Sequence, residues 1–401
     1  MTGHDTAATE ASEGPGEPIQ VGLVSGFLGA GKTTALQTIG DRLTDQRYTV
    51  GMITNDQASG LVDTSILDTT AGTVVEIPGG CFCCNFEQLL NAAHSIHEAD
   101  IDYLLAEPVG SCTDLVATVV NPLRSLHAEE FSVAPLTAVL DPDRVQSYLG
   151  DDTEKLPEEV RYIFRMQVEE ADLIVLNKTD TLGEDETARL VRALEERVND
   201  RPVLPVSAAR GTGIDAWMSL LFDDIATDSE LDIDGPVRAE GRALTDIDYD
   251  TYAEGEAKLG WVNTTVSLEG PLDAARFRTA LMDRVQQLLR AADIEVAHLK
   301  FSLSADGKLC HANLTSTDTE PNYDGADLGT VGAGTLVFNA RAVGAPEEVR
   351  TIADRALEET ASAANVGVSV EAMQAFRPEY PEPVHRMDGD SASVAADGPD
   401  T

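Results

Sequence analysis

Short apolar runs recur along the first half of the chain, at 19–24, 48–53, 74–77, 101–105, 172–176 and 203–206, with longer mixed stretches between them. Runs of that length bounded by polar and turn residues predict strands, and the intervening stretches predict helices, the last at 214–222. Strands that alternate with helices argue for a mainly parallel sheet covered by helices, an α/β domain over 19–224. Beyond 259 the order changes to strand 261–267, helix 272–292, strands 298–304, 309–315 and 334–342, helix 346–363 and strand 366–374. Two helices laid on one face of a mainly antiparallel sheet satisfy that order, a smaller ferredoxin-like α+β domain over 259–378. The acidic, glycine-rich stretch 225–258 reads as a linker, and the small, polar and acidic ends 1–18 and 379–401 read as disordered.

Directly after the first apolar run, residues 26–33 read Gly-Phe-Leu-Gly-Ala-Gly-Lys-Thr, followed by Thr34. This is a complete GxxxxGK[ST] phosphate loop between a strand and a helix, which makes the first domain a P-loop NTPase. Glycine at Gly26, Gly29 and Gly31, with Ala30 between, lets successive N–H groups turn toward phosphates. Lys32 is expected to reach the β and γ phosphates, and Thr33 to ligate Mg²⁺. The start of the following helix adds its positive dipole end.

The base is specified by Asn177-Lys-Thr-Asp180 after the strand 172–176. Asp180 can accept two hydrogen bonds from the N1–H and amine of guanine, donors that adenine lacks, so GTP is expected over ATP. Asn177 is assigned to bracing the loop and the Lys178 stem to covering the base face. Ser207 and Ala208, after the strand 203–206, hold the place of a third base-contacting loop. Two strand ends carry carboxylates suited to the Mg²⁺ and γ-phosphate side, Asp56 in Thr54-Asn-Asp-Gln57 and Glu107 in Glu107-Pro-Val-Gly110.

Between those two segments lies Gly79-Gly-Cys-Phe-Cys-Cys84, which holds three of the five cysteines. Thiols that close on Cys81, Cys83 and Cys84 suit a soft or borderline divalent ion. A disulfide is the rival reading, disfavoured by the strain of pairing adjacent Cys83 and Cys84. Candidates for a fourth ligand are Cys112, His94, His97 and Glu76. His94 and His97 share a helix face, and Glu76 equally suits the solvent side of a strand.

With these residues in hand, the chain resembles the CobW family of P-loop GTPases, relatives of the nickel GTPases of urease and hydrogenase maturation. The resemblance rests on the phosphate loop, Gly80-Cys-Phe-Cys-Cys84, Glu107-Pro-Val-Gly110 and Asn177-Lys-Thr-Asp180, in that order. It implies a GTP-hydrolysing metallochaperone or metal insertase. Lys32, Glu107 and Asp56 would then serve catalysis, and Cys81, Cys83 and Cys84 would hold a transferred Zn²⁺, Co²⁺ or Ni²⁺. The implied partner is a client metalloprotein or a corrinoid enzyme, and a homodimer is open. One departure stands out, Asn55-Asp-Gln-Ala58 where the family usually shows Asn-Glu-Phe-Gly. A regulatory GTPase with a structural thiol cluster and an ATP-preferring P-loop kinase are the rival classes.

Composition narrows the surroundings. The 401 residues carry 70 acidic against 28 basic side chains, a formal charge of −42. Such a surface repels nucleic acid and anionic lipid, and matches a protein adapted to a salt-rich cytoplasm. No apolar stretch approaches the roughly 20 residues that cross a bilayer. The first residues lack the basic and apolar regions of a secretory signal, so a cytoplasmic protein is expected.

Overall fold

The computed structural model describes residues 17–56, 73–97, 101–150, 155–199, 201–222, 225, 237 and 241–388. Eight strands form the first sheet: β1 (Ile19–Ser25), β2 (Val50–Asp56), β3 (Thr73–Pro78), β4 (Tyr103–Glu107), β5 (Phe131–Val133), β6 (Thr137–Leu140), β7 (Leu173–Leu176) and β8 (Val203–Pro205). Their order is β3-β2-β4-β1-β6-β7-β8, with β5 also paired to β1, and every pair is parallel. Strands such as β4 and β7 are buried at every residue, as a sheet with helices on both faces requires. Parallel pairing has a consequence for chemistry: all strands end on one edge. The segments after β1, β3, β4, β6, β7 and β8 therefore converge there although they are far apart in sequence.

The second sheet is antiparallel throughout, in the order β12-β11-β10-β13-β9-β14. Its strands are β9 (Leu259–Asp273), β10 (Val296–Ala305), β11 (Lys308–Leu314), β12 (Asn322–Gly325), β13 (Thr330–Val343) and β14 (Gly367–Phe376). The four strands β10-β13-β9-β14 with the helices Ala274–Ala291 and Pro346–Ala364 make the ferredoxin-like arrangement, and β11 and β12 extend its edge. Phe277, Leu281 and Val285 of the first helix and Ala353 and Leu357 of the second bury against Leu299, Phe301 and Phe338. The two domains touch directly. Arg144 donates to the carbonyls of Val296 (3.1 Å) and Thr315 (2.6 Å).

Two segments differ from the sequence-based expectation. Within the expected linker, Tyr249–Lys258 is a helix capped by Asp248, whose carboxylate accepts from the Asp250 and Thr251 N–H groups. It packs so closely on the helix Glu158–Glu170 that a Cβ on Gly255 would lie 2.4 Å from the Glu159 carbonyl. Of the tail expected to be disordered from 379, residues 379–388 lie along the first domain. Val384 N–H donates to Cys83 O (2.9 Å) and Met387 N–H to Ala117 O (2.8 Å). Arg386 pairs with the buried Asp114 carboxylate at 2.9 Å. A buried carboxylate needs a cation, and composition alone does not reveal that match. Residues 1–16 and 389–401 lie outside the described residues.

Glu170 is fully buried, accepts from Thr113 Oγ1 and Val116 N–H, and is pushed by burial up to about 8 from an ordinary 4.5. The folded state thus binds this proton more tightly than the unfolded chain. Its contribution is fully present below about pH 4.5 and is lost as pH rises to about 8. Glu170→Gln is expected to gain on the wild type by about 1 kcal/mol per pH unit between pH 6 and 8. Thermal melts of both across that range check it, and parallel curves would contradict it.

Candidate functional site

The phosphate loop leaves β1 at its C-terminal end and enters the helix Lys32–Asp45. Gly26 and Gly31 hold φ of 136° and 92°, and a Cβ there would fall 2.2 Å from Val139 O and 2.4 Å from Asn177 Nδ2. Only glycine fits both positions. The Lys32 ammonium is buried inside the loop, donating to Gly26 O (2.9 Å) and lying 3.7 Å from Glu107 Oε1. Thr33 Oγ1 donates to Glu107 Oε2 at 2.9 Å, so the two switch-edge groups already meet. A hydroxyl and a carboxylate this close are hard oxygen donors of the type Mg²⁺ takes. Asp56 ends β2 in register with Pro78, but its side chain lies outside the described residues.

The segment from Asn177 to Asp180 follows β7. Asn177 Nδ2 donates to Ala30 O (2.9 Å) and its Oδ1 accepts from Ala208 N–H (3.0 Å), tying phosphate loop, Asn177-Asp180 and the loop after β8 into one unit. Ser207 Oγ donates to Asp180 Oδ1 at 2.7 Å, and Arg210 approaches the same carboxylate at 3.7 Å. Lys178 sits at φ 59° and its ammonium pairs with Asp141. Asp141 caps the helix Pro142–Leu149 as well. The sequence reading did not single it out, although Asp before Pro at a strand end is a helix-start signal.

Cys81, Cys83 and Cys84 bring their sulfurs within 4.8 Å of one another, and all five cysteines are free thiols. Cys81 Sγ and Cys84 Sγ are 3.2 Å apart. Hydrogen bonds from Cys112, then from Cys83 and Cys84, hold the Cys81 thiol well below the usual range. Burial is the main push upward on Cys112, and the bond to Cys81 pushes Cys83 up and Cys84 to about 11. Cys81 is thus the thiol of the cluster that gives up its proton most readily, and a bound metal would displace protons from the thiols it takes. Cys112 is fully buried beside it. His94 instead bonds Glu130 at 2.7 Å and stacks near Phe131, and it does not join the thiols. Glu76 is not in the metal-capable group either, and the His97 side chain lies outside the described residues.

Three features near the thiols were not legible beforehand. Asn55, buried at the end of β2, donates to Ile77 O (2.9 Å) and Gly80 O (2.6 Å) while also lining the cavity beside the phosphate loop. Glu256, from the unforeseen helix, is fully buried, accepts from Ser111 Oγ and is raised by burial to about 8, with the Cys81 charge adding to it. The irregular segment 382–387 runs along Cys83 and Cys84, with Val384 N–H on Cys83 O and His385 edge-on to Phe86 at 5.0 Å. Phosphate loop, Glu107, Asn177-Asp180 and residues of both domains surround a single cavity of about 570 Å³.

The chain is similar to proteins of known name. It is 30% identical over 250 residues to the zinc chaperone CobW of Pseudomonas aeruginosa, covering 54% of this chain and 62% of that one. The zinc chaperone YeiR of Escherichia coli is 28% identical over 191 residues, 45% of this chain and 53% of that one. The zinc chaperone YjiA, also of Escherichia coli, is 28% identical over 179 residues, 42% and 52%. The matched part thus spans between about half and 62% of these relatives. The nucleotide-binding domain of the CobW/HypB/UreG family matches residues 20–205, a span that runs from β1 to the end of β8 and contains the phosphate loop, the thiol cluster and Asp180. Over that span the chain is similar to the nucleotide-binding domain of the CobW/HypB/UreG family.

Proposed function

We propose that this protein binds and hydrolyses GTP and holds a divalent metal, zinc first among Zn²⁺, Co²⁺ and Ni²⁺, on Cys81, Cys83 and Cys84 for delivery to a client metalloprotein. The observation that carries the reading is Asn55, one side chain that lines the nucleotide cavity and fixes the carbonyl before Cys81. A second link runs from Glu107 through Val109 and Gly110 to Cys112, which hydrogen-bonds Cys81. Binding at one site is therefore felt at the other through two short, packed connections. The names of the relatives support zinc. A corrinoid-enzyme accessory role would use the same residues.

In this reading the glycine N–H groups and Lys32 hold the phosphates, and Asp180 selects guanine. Thr33 and Glu107 would hold Mg²⁺, which supplies charge neutralisation on the β and γ oxygens when bound. Glu107 orients the water whose oxygen attacks the γ phosphorus as the bond to the β-bridging oxygen breaks. Asp56, at the end of β2, is assigned to the same side. Hydrolysis removes the contact that draws Asn55 and Glu107 inward, and the thiol loop relaxes.

Competition of GTP and ATP for the wild type and Asp180→Ala tests the base assignment. The wild type is expected to prefer GTP, and the variant to lose at least about tenfold of that preference. An unchanged ratio would count against Asp180.

A further inference from the structure

The second domain presents a polar sheet face to the phosphate loop. Along β10, Leu299, Phe301 and Leu303 enter the core with the helices, so His298, Lys300 and Ser302 take the opposite face. The same alternation puts Asn313 of β11 and Asn339 and Arg341 of β13 on that face. Pairing aligns them in rows, Asn313 opposite Lys300 opposite Asn339 opposite Asn263, and His298 opposite Arg341. An antiparallel sheet with helices on one side usually turns such a face to water. Here it is shut in: Lys300 is 6% and Arg341 3% exposed.

What it faces is the nucleotide cavity. His298, Lys300, Asn313, Asn339 and Arg341 line the same space as Lys32 and Thr33. A Cβ placed on Gly29 would lie 2.6 Å from Thr315 Cγ2 and 3.2 Å from His298 Cδ2, so the two domains meet at the phosphate loop itself. Arg144 fastens this wall through the carbonyls of Val296 and Thr315. Arg341 is set in position beforehand, stacked over the Trp261 ring at 4.1 Å and donating to Asn263 Oδ1 at 2.7 Å. Lys300 and Arg341 are engaged by protein groups, which a stronger anion could replace.

We propose that this face is the second wall of the nucleotide site, with Lys300 and Arg341, assisted by His298, receiving the polyphosphate of the guanine nucleotide. The inference rests on the nucleotide reading of the phosphate loop. It follows from placement and charge. In a chain of net charge −42, an anion enters only where cations are gathered locally, and carboxylates such as Glu320 and Asp324 also line this cavity. Cations from both domains on one polyphosphate would make nucleotide binding a clamp between the domains.

Lys300→Met in the full chain tests it, since the side chain keeps its length and loses only charge. Affinity for a fluorescent non-hydrolysable GTP analogue and for GDP is measured from low to high salt, beside a melt without nucleotide. The expected result is an about tenfold loss for both nucleotides, a shallower dependence on salt, and restoration by Lys300→Arg. If Lys300→Met does not fold, Asn313→Asp, half-buried opposite Lys300, is expected to give a similar loss. Wild-type binding that Lys300→Met retains within twofold would overturn the second wall alone. A wild type that binds no nucleotide would overturn the loop assignment and this inference together.

Discussion

Lys32→Ala is expected to weaken GTP and GDP binding at least about 100-fold. The Lys32 ammonium is the cation seated within the loop, 2.9 Å from Gly26 O, and no solvent-exposed side chain replaces a charge held at 6% exposure. Its removal also strips Glu107 of a neighbour at 3.7 Å, leaving a buried carboxylate where phosphate must arrive. The loss is therefore larger than that of one hydrogen bond, and attraction turns into repulsion. Titration with a fluorescent nucleotide measures it directly. Retained turnover in the variant would show that the phosphates bind elsewhere.

The second large effect belongs to the thiols. Cys83→Ala is expected to lower Zn²⁺ affinity at least about 100-fold under reducing conditions, with GTP affinity changed by less than about threefold. Cys83 is 1% exposed, and its sulfur belongs to the set that lies within 4.8 Å. Two thiolates give an incomplete donor set, and alanine supplies no substitute. The phosphate loop does not depend on that sulfur, because its own bracing runs through Asn177 to Ala30 O. Metal affinity equal to the wild type would remove the cysteine loop from the account.

The segments that carry chemistry were legible because they obey local rules. Gly26, Gly31 and Lys32 are demanded by phosphate geometry, and the thiol spacing of Cys81, Cys83 and Cys84 is readable without a fold. The parallel sheet followed from apolar runs such as 172–176, and the ferredoxin-like order from the alternation after 259. What escaped depends on tertiary neighbours. Asn55 is one more polar residue at a strand end until Gly80 O is seen 2.6 Å away. The helix Tyr249–Lys258 has a low apolar content and hides in an acidic stretch, with only the Asp248 cap as a signal. Arg386 reads as tail composition until the buried Asp114 is placed beside it. His94 shares the helix after the cysteines, yet Glu130 from another segment claims it. The polar strand face of Lys300 and Arg341 reads as an ordinary solvent face, and only docking against the phosphate loop gives it a task.

In the proposed function, nucleotide and metal are coupled through Asn55-Gly80 and Glu107-Cys112. Linkage makes any such coupling reciprocal. The most direct measurement is a titration of Zn²⁺ into the reduced, metal-free protein, once with a non-hydrolysable GTP analogue and once with GDP. The two affinities are expected to differ by at least about tenfold, with a matching change in nucleotide affinity when metal is bound. Equal Zn²⁺ affinity in the two nucleotide states would overturn the coupling, leaving a phosphate loop beside a thiol cluster that does not sense it.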